Sequence, residues 1–158
     1  MIIPVILAAI LLALDQLTKH MALTRLKPVM NVTFIDGFMD FTFVENRGAA
    51  FGILDGNILL LLAISIAICA VIIFAMVKMP KTKEYKWLKL DLLLILTGAV
   101  GNILDRIIRG YVVDFFEFTF IQWPVFNMAD IYVVVGTVIM ALLVLFVIKE
   151  DDGDDDEV

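Results

Sequence analysis

Two long stretches of the sequence are almost entirely apolar and contain no charged residue, and they limit the possible folds more than any other feature. They are Ile58–Val77 and Ile131–Ile148. A helix needs about 20 such residues to cross the roughly 30 Å hydrocarbon core of a bilayer. With 62% hydrophobic residues, the chain has more apolar surface than a soluble domain of this length can bury. The composition therefore argues against a soluble enzyme and against a disordered chain.

Two further segments have the length and composition of membrane helices. The N-terminal segment is apolar and lacks the basic start and the small-residue cleavage site of a signal peptide, so we expect it to stay in the membrane. The other surrounds the uncharged stretch Leu92–Leu104. We predict an all-α membrane protein whose residues 1–149 form one integral membrane domain. Its four transmembrane helices are predicted over about 2–23, 57–78, 87–109 and 128–149.

The segments between these helices differ in character. Val32–Ile35 and Phe41–Val44 are rich in β-branched and aromatic residues and flank Asp36-Gly37, a pattern typical of a hairpin. We therefore predict a small β-hairpin or cradle within a β-rich segment over about 27–56. The segment 110–127 is rich in phenylalanine, which is typical of an interfacial aromatic belt, and we predict a loop there.

The distribution of charge predicts the orientation. Lys78–Lys89 carries five lysines and one glutamate, which favours the cytoplasmic side. Both termini are then cytoplasmic, and the β-rich segment lies outside. Seven of the 18 acidic residues fall from Glu150 onward, whereas residues 1–149 hold 12 basic and 11 acidic residues. The net charge of −6 therefore comes from residues 150–158, which we interpret as a solvated acidic tail.

Polar residues inside predicted membrane helices are costly and normally have partners. Asp15 and Lys19 are four residues apart on one helix face, and an ion pair that anchors the helix is the simplest interpretation. The third helix has a polar stripe with a three- and four-residue spacing, for which structural support and direct chemistry are equally open. The stripe consists of Asn102, Asp105, Arg106 and Arg109, and it follows Gly98 and Gly101, which allow close helix contact.

Two carboxylates near the outer boundary are candidates for chemistry. Asp130 lies with Asn127 at the start of the fourth helix, where capping is the default interpretation. Asp114 lies among apolar and aromatic residues with no evident structural role. If the intervening loop folds back, the two carboxylates can share a proton, and one can then activate water as a general base. Spacing alone does not establish this pairing, and no arrangement typical of Ser–His, Cys–His or zinc catalysis is present.

Five motifs in sequence order resemble the bacterial lipoprotein signal peptidase family, also called signal peptidase II. They are Asp15-Gln16-Leu17-Thr18-Lys19, Asn46-Arg47-Gly48-Ala49-Ala50-Phe51-Gly52, Gly101-Asn102-Ile103-Leu104-Asp105-Arg106, Val112-Val113-Asp114-Phe115 and Phe126-Asn127-Met128-Ala129-Asp130. The resemblance covers about residues 1–148. Ile131, where a small or hydroxyl residue is common, and the acidic tail depart from the family pattern.

The resemblance implies a function and a set of site residues. Asp114 and Asp130 match the catalytic dyad of an intramembrane aspartic endopeptidase. A second group matches positions that bind substrate or support the site: Asn46, Gly48, Asn102, Arg106 and Asn127. A third group, Asp15, Lys19 and Asp105, matches structural positions.

The family further implies the substrate, the location and the partners. The substrates are prolipoproteins, cleaved before a diacylglyceryl-modified cysteine, and globomycin-type peptides inhibit the enzyme. The site lies at the outer leaflet of the bacterial cell membrane. We expect contacts with membrane lipids, a monomer, no cofactor or metal, and no nucleic-acid partner. Two other functions remain open on the residues alone: a proton relay or transporter, and a lipid transferase that holds a divalent ion with its acidic residues.

Overall fold

The computed structural model describes residues 2–48, 54 and 56–147. Four helices have the length and hydropathy needed to cross a membrane, so the chain is a multi-pass membrane protein with the predicted fold class. They are α1 (Ile2–Met21), α2 (Ile58–Lys78), α3 (Lys83–Arg109) and α4 (Met128–Phe146). Part of the predicted β-rich segment (49–53 and 55), the end of the fourth predicted helix (148–149) and the acidic tail (150–158) lie outside the described residues.

Helix α3 occupies the middle of the bundle and contacts each of the other three helices. Glycines make two of these contacts close. A Cβ atom on Gly98 would lie 2.9 Å from Val133 of α4, and one on Gly101 would lie 3.2 Å from the Cγ atom of Asp15 in α1. A Cβ atom on Gly136 of α4 would lie 2.5 Å from Ile95 of α3. The predicted role of the two α3 glycines in helix packing is therefore confirmed.

Three antiparallel strands form a small sheet at one end of the bundle, which we call the sheet end. They are β1 (Asn31–Ile35), β2 (Met39–Asn46) and β3 (Val112–Phe118), in the order β1-β2-β3. Gly37, with a φ of 69°, supplies the left-handed conformation in the β1–β2 turn. The hairpin prediction is thus confirmed, and β3 joins the hairpin through pairs such as Phe41 with Phe116.

The described structure differs from the sequence prediction at two boundaries. Residues 110–127 were predicted as a loop, but β3 occupies Val112–Phe118 because its backbone pairs with the free edge of β2. Helix α3 begins at Lys83 rather than near Trp87, since lysine and glutamate are good helix formers whatever their charge. Met79 has the extended conformation that a following proline favours, so the turn between α2 and α3 is short.

The apolar core is divided between the two ends of the bundle. Leu88, Leu92 and Ile95 of α3 are buried against residues of α2 and α4 at one end. At the sheet end, Ala22, Leu26, Phe43, Val113 and Phe115 form a second cluster. The outer faces of the helices carry many exposed leucine, isoleucine and valine residues. A bilayer would cover those faces, whereas water would not.

Candidate active site

A cavity of about 500 Å³ opens at the sheet end, between α3, α4 and β3. Its polar lining consists of Asn46, Asn102, Arg106, Asp114 and Asp130. The structure therefore brings together residues from β2, β3 and two helices that are far apart in the sequence. The remaining lining is apolar or aromatic and comes mainly from β3, residues 123–126 and the first turns of α4.

Asp114 is held in place by two side-chain amides. It lies in β3, opposite Val44 of β2, and is only 1% exposed. Asn46 Nδ2 donates to one carboxylate oxygen at 2.8 Å, and Asn127 Nδ2 donates to the other at 2.6 Å. Because Val113 and Phe115 point to the opposite face of the strand and pack in the core, strand alternation turns Asp114 toward the cavity.

Asp130 is held by the start of α4. Asn127 is the N-cap, and its side-chain oxygen accepts from the Asp130 backbone N–H at 3.1 Å. The Asp130 carboxylate accepts in return from the Asn127 backbone N–H at 3.0 Å, which completes a capping box. Its other oxygen accepts from Asn102 Nδ2 at 2.8 Å. The capping prediction is confirmed, and the same bonds orient the carboxylate toward the cavity.

Asn127 and Asn102 connect the two carboxylates. The fully buried Asn127 contacts Asp114 through its side-chain amide and Asp130 through its backbone and its side-chain oxygen. Its Nδ2 also donates to Asn102 Oδ1 at 3.2 Å. Each amide donates to one carboxylate and shares a hydrogen bond with the other amide. Residues 114 and 130 are therefore neighbours in space, as the sequence allowed but did not require.

A buried ion cluster lies behind the two asparagines. Lys19 is fully buried and lies 3.0 Å from Asp15 and 3.3 Å from Asp105. Its ammonium also donates to Asn102 Oδ1 at 2.9 Å. The predicted Asp15–Lys19 pair is confirmed, and Asp105 is a second partner. Because Lys19 donates to the oxygen of Asn102, the amide nitrogen is left to face Asp130.

The cluster also fixes the elements that carry the site. Asp15 accepts from the backbone N–H of Ala129 at the start of α4, at 3.0 Å. Asp105 accepts from the backbone N–H of Val113 in β3, also at 3.0 Å, and pairs with Arg109. The two acidic residues thus attach α4 and β3, which carry Asp130 and Asp114, to the α1–α3 contact.

Gly48 and Arg106 position the segment that follows β2. The Arg106 guanidinium donates to the Gly48 carbonyl at 3.0 Å, and the Gly48 N–H donates to Asn46 Oδ1 at 3.0 Å. This contact orients the Asn46 amide so that its nitrogen faces Asp114. Gly48 and Asn127 do not line the cavity wall, so their contribution is indirect, whereas Arg106 lies in the wall itself.

The environment of Asp114 favours its protonated form. Burial, and then the nearby charge of Asp130, raise the pKa of Asp114 to about 7. Hydrogen bonds from Asn46 and Asn127 and the charge of Lys19 act in the opposite direction. At neutral pH the site can therefore present a carboxyl group that donates a proton beside a second carboxylate.

The sequence interpretation overlooked two polar residues. Gln16 donates to the carboxylates of Asp15 and Asp105 and to the Gly101 carbonyl. Gln16 lies inside the first motif, directly beside Asp15. This position was the only feature of the sequence that could have indicated its role. The other is Asp91 on α3, 6% exposed, whose carboxylate oxygens have no hydrogen-bond partner among the described residues. It lies beside Gly136, away from the sheet end.

The fold and the site define a class of protein: a four-helix membrane protein that holds a buried and a partly buried aspartate in one cavity at the edge of its helical bundle. Solved structures of bacterial membrane enzymes share this fold. One, determined by the in meso method at 2.3 Å resolution, has a TM-score of 0.81 and 29% identity, and the match covers 98% of this chain and 93% of that one. A second structure, at 1.9 Å resolution, has a TM-score of 0.77 and 29% identity, and the match covers 92% of this chain and 94% of that one.

Sequence comparison identifies the family. The sequence profile described as Signal peptidase (SPase) II matches residues 7–146. The lipoprotein signal peptidase of Clostridium acetobutylicum is 41% identical over 158 residues, which cover 98% of this chain and 99% of that protein. The enzyme of the same name from Caldanaerobacter subterraneus is 41% identical over 142 residues, which cover 90% of this chain and 95% of that protein. The chain belongs to the signal peptidase II family, and it is therefore a membrane-embedded peptidase.

Proposed function

We propose that this chain removes the signal peptide from prolipoproteins by aspartic catalysis, cleaving before a diacylglyceryl-modified cysteine. The observation that carries the proposal is the pair of carboxylates, Asp114 and Asp130, which line one cavity and are joined through Asn127. The names of the relatives support the substrate class. The carboxylates and amides of the cavity support the catalytic type.

In the proposed mechanism the two carboxyl groups share one proton and titrate as a unit. Asp114, whose pKa is raised to about 7 by burial and by the charge of Asp130, carries the shared proton in the reactive form and donates it to the scissile carbonyl oxygen. Asp130 accepts a proton from water as the water oxygen attacks the carbonyl carbon. The tetrahedral intermediate then collapses: one hydroxyl proton returns to Asp114 as the C=O bond re-forms, the C–N bond breaks, and the proton on Asp130 passes to the leaving amine.

Asn46, Asn102 and Asn127 are positioning residues in this mechanism, because each donates to a carboxylate oxygen and fixes its direction. Arg106 lies in the cavity wall and can hold a backbone carbonyl of the substrate. The apolar lining suits the apolar side chains that precede the cleavage site. Asp15, Lys19 and Asp105 hold α1, α3, α4 and β3 together behind the site.

The proposed orientation has both termini in the cytoplasm and the sheet end at the outer leaflet. The excess of lysine between α2 and α3 supports it. With this orientation the cavity faces the side to which the lipid-modified precursor is exported. Globomycin-type peptides would then compete with the precursor for the same cavity from the outer leaflet. One chain suffices for the proposed mechanism, because both carboxylates and their hydrogen-bond donors come from the same chain, which supports the proposed monomer.

The test uses purified protein and a pair of precursors that differ only in the diacylglyceryl group on the cysteine. Cleavage is measured by mass spectrometry of the released signal peptide. We expect cleavage of the lipidated precursor alone, full activity in EDTA, and inhibition by globomycin. Equal cleavage of both precursors would contradict the proposed substrate class. Loss of activity in EDTA, restored by a divalent ion, would contradict the aspartic mechanism.

A further inference from the structure

A second concave surface lies on the opposite side of the sheet from the two aspartates. This groove, about 390 Å³ in volume, lies between the end of α1 and the strands. Its buried floor is formed by Ala22, Leu26 and Phe115, and its walls include Met21 and Val32. Ligand pockets usually start at about 300 Å³, so the groove is large enough to hold part of an apolar ligand.

Among the described residues that line the groove, one is charged. It is Arg25, which is exposed at the rim, and none of these lining residues is acidic. Among the described residues, Arg25 takes part in none of the ion pairs or side-chain hydrogen bonds, whereas the neighbouring Lys27 pairs with Glu45. A cation without a counter-ion next to an apolar groove matches a ligand that joins an anionic group to a hydrocarbon chain.

The backbone at Arg25 departs from regular α-helix. Residues Ala22–Leu26 form a π-helical turn, in which the N–H of Lys27 donates to the carbonyl of Ala22 at 2.8 Å. Single π-turns are rare and occur frequently at functional sites. The wider turn rotates the following residues relative to α1, so that Ala22 and Leu26 form the floor while Arg25 stays at the rim.

The groove lies where the first membrane-spanning stretch ends. That stretch runs over Ile2–Leu26 and includes Arg25 in its last turn, and Leu17 and Met21 on the preceding turns are exposed. Exposed apolar residues continue along β1, including Val32 and Phe34. Such an apolar surface next to the end of a membrane helix indicates that this side of the sheet rests on the bilayer, where arginine interacts with lipid phosphates.

We propose that the groove binds one anionic phospholipid of the bilayer, with its phosphate on Arg25 and an acyl chain against Ala22, Leu26 and Phe115. The bound lipid would fill the face of the sheet that lies behind Asp114, because Phe115 and Asp114 point to opposite faces of β3. It is a lipid of the membrane rather than the lipid of a substrate, since the groove shares no described lining residue with the cavity that contains the two aspartates.

The test uses full-length protein in phosphatidylcholine nanodiscs that contain a small fraction of phosphatidylglycerol with a photoactivatable group in one acyl chain. After irradiation, mass spectrometry locates the adducts. We expect adducts on Met21, Val32 and their groove neighbours, and competition by unlabelled phosphatidylglycerol. Arg25→Gln should lower adduct formation about fivefold, the contribution of one cation near an anionic lipid.

Two matched variants test separately whether the charge of Arg25 and the shape of the groove are needed for lipid binding. Lys27→Gln removes a nearby exposed cation that is already paired with Glu45, and it should leave the adducts unchanged. Val32→Trp fills the groove without changing charge and should reduce them. Equal labelling by a phosphatidylcholine analogue, or no change in Arg25→Gln, would overturn the inference. Displacement of the adducts by an uncleavable lipidated precursor would assign the groove to substrate instead, and it would leave the proposed peptidase activity intact.

Discussion

Replacing Lys19 with methionine removes the cation at the centre of the buried ion cluster while keeping most of the side-chain volume. Two carboxylates, Asp15 at 3.0 Å and Asp105 at 3.3 Å, lose their shared partner, and all three side chains are at most 1% exposed. Breaking a buried ion pair on one side costs about 3–5 kcal/mol, because the remaining charge stays buried without compensation. In a chain of this length, a loss of 1 kcal/mol in unfolding free energy lowers the melting temperature by about 2–4 °C. The melting temperature of Lys19→Met should therefore fall by about 10 °C.

The chain supplies its own control for this experiment. Lys27 and Glu45 form an ion pair of nearly the same length, 2.9 Å, with side chains that are 47% and 29% exposed. Solvent screens such a pair, and measured exposed pairs contribute little, so Lys27→Met should leave the melting temperature nearly unchanged. Thermal unfolding in detergent, followed by circular dichroism, compares the two variants directly.

A double variant makes the test specific for charge. In Lys19→Met/Asp15→Asn, the carboxylate left without a cation is neutralised while Asp105 keeps its ion pair with Arg109, so part of the lost stability should return. Two results would refute the reasoning: a Lys19→Met protein as stable as the Lys27→Met protein, or a double variant less stable than Lys19→Met alone. Either would mean that the buried pairs contribute little and that packing alone holds α1 to α3.

Three further predictions concern single contacts. Asn46→Ala removes a donor that favours the charged form of Asp114 and so raises the pKa of Asp114 further; the alkaline limb of the pH–rate profile should therefore move to higher pH than in the wild type, and an unchanged limb would contradict this. Asp91→Leu removes a buried carboxylate without hydrogen-bond partners among the described residues and should raise the unfolding free energy by about 1–3 kcal/mol, measured by thermal unfolding. Gly101→Ala places a methyl group against Asp15 and should lower stability by about 1–3 kcal/mol; a stability equal to wild type would show that α1 can move away freely.

Much of the architecture follows from local sequence patterns. The four helices are evident because long apolar stretches have one stable form in a bilayer. The β1–β2 hairpin is evident because its strand residues flank Asp36-Gly37. The Asp15–Lys19 pair is evident because a spacing of four residues places both side chains on one helix face. In each case the residues that determine the feature lie in one continuous segment of the sequence.

The remaining features depend on contacts between distant segments. Strand β3 was not predicted, because its residues pair with β2 some 70 positions earlier, and no local pattern reports that pairing. The role of Gln16 depends in the same way on Asp105 of α3. The π-helical turn after α1 has no recognised sequence signal. The five motifs bring Asp114 and Asp130 to attention through the family resemblance, whereas their spacing alone left the pairing open.

In the proposed mechanism, Asp114 and Asp130 together activate the water that cleaves the substrate. The most direct measurement is the cleavage rate of a lipidated precursor by Asp114→Asn and Asp130→Asn, each purified and shown by thermal unfolding to be folded. Proton transfer by a positioned group contributes at least about 10²-fold to a rate, so each variant should be at least that much slower than wild type. A folded variant of either residue that cleaves at the wild-type rate would contradict the account.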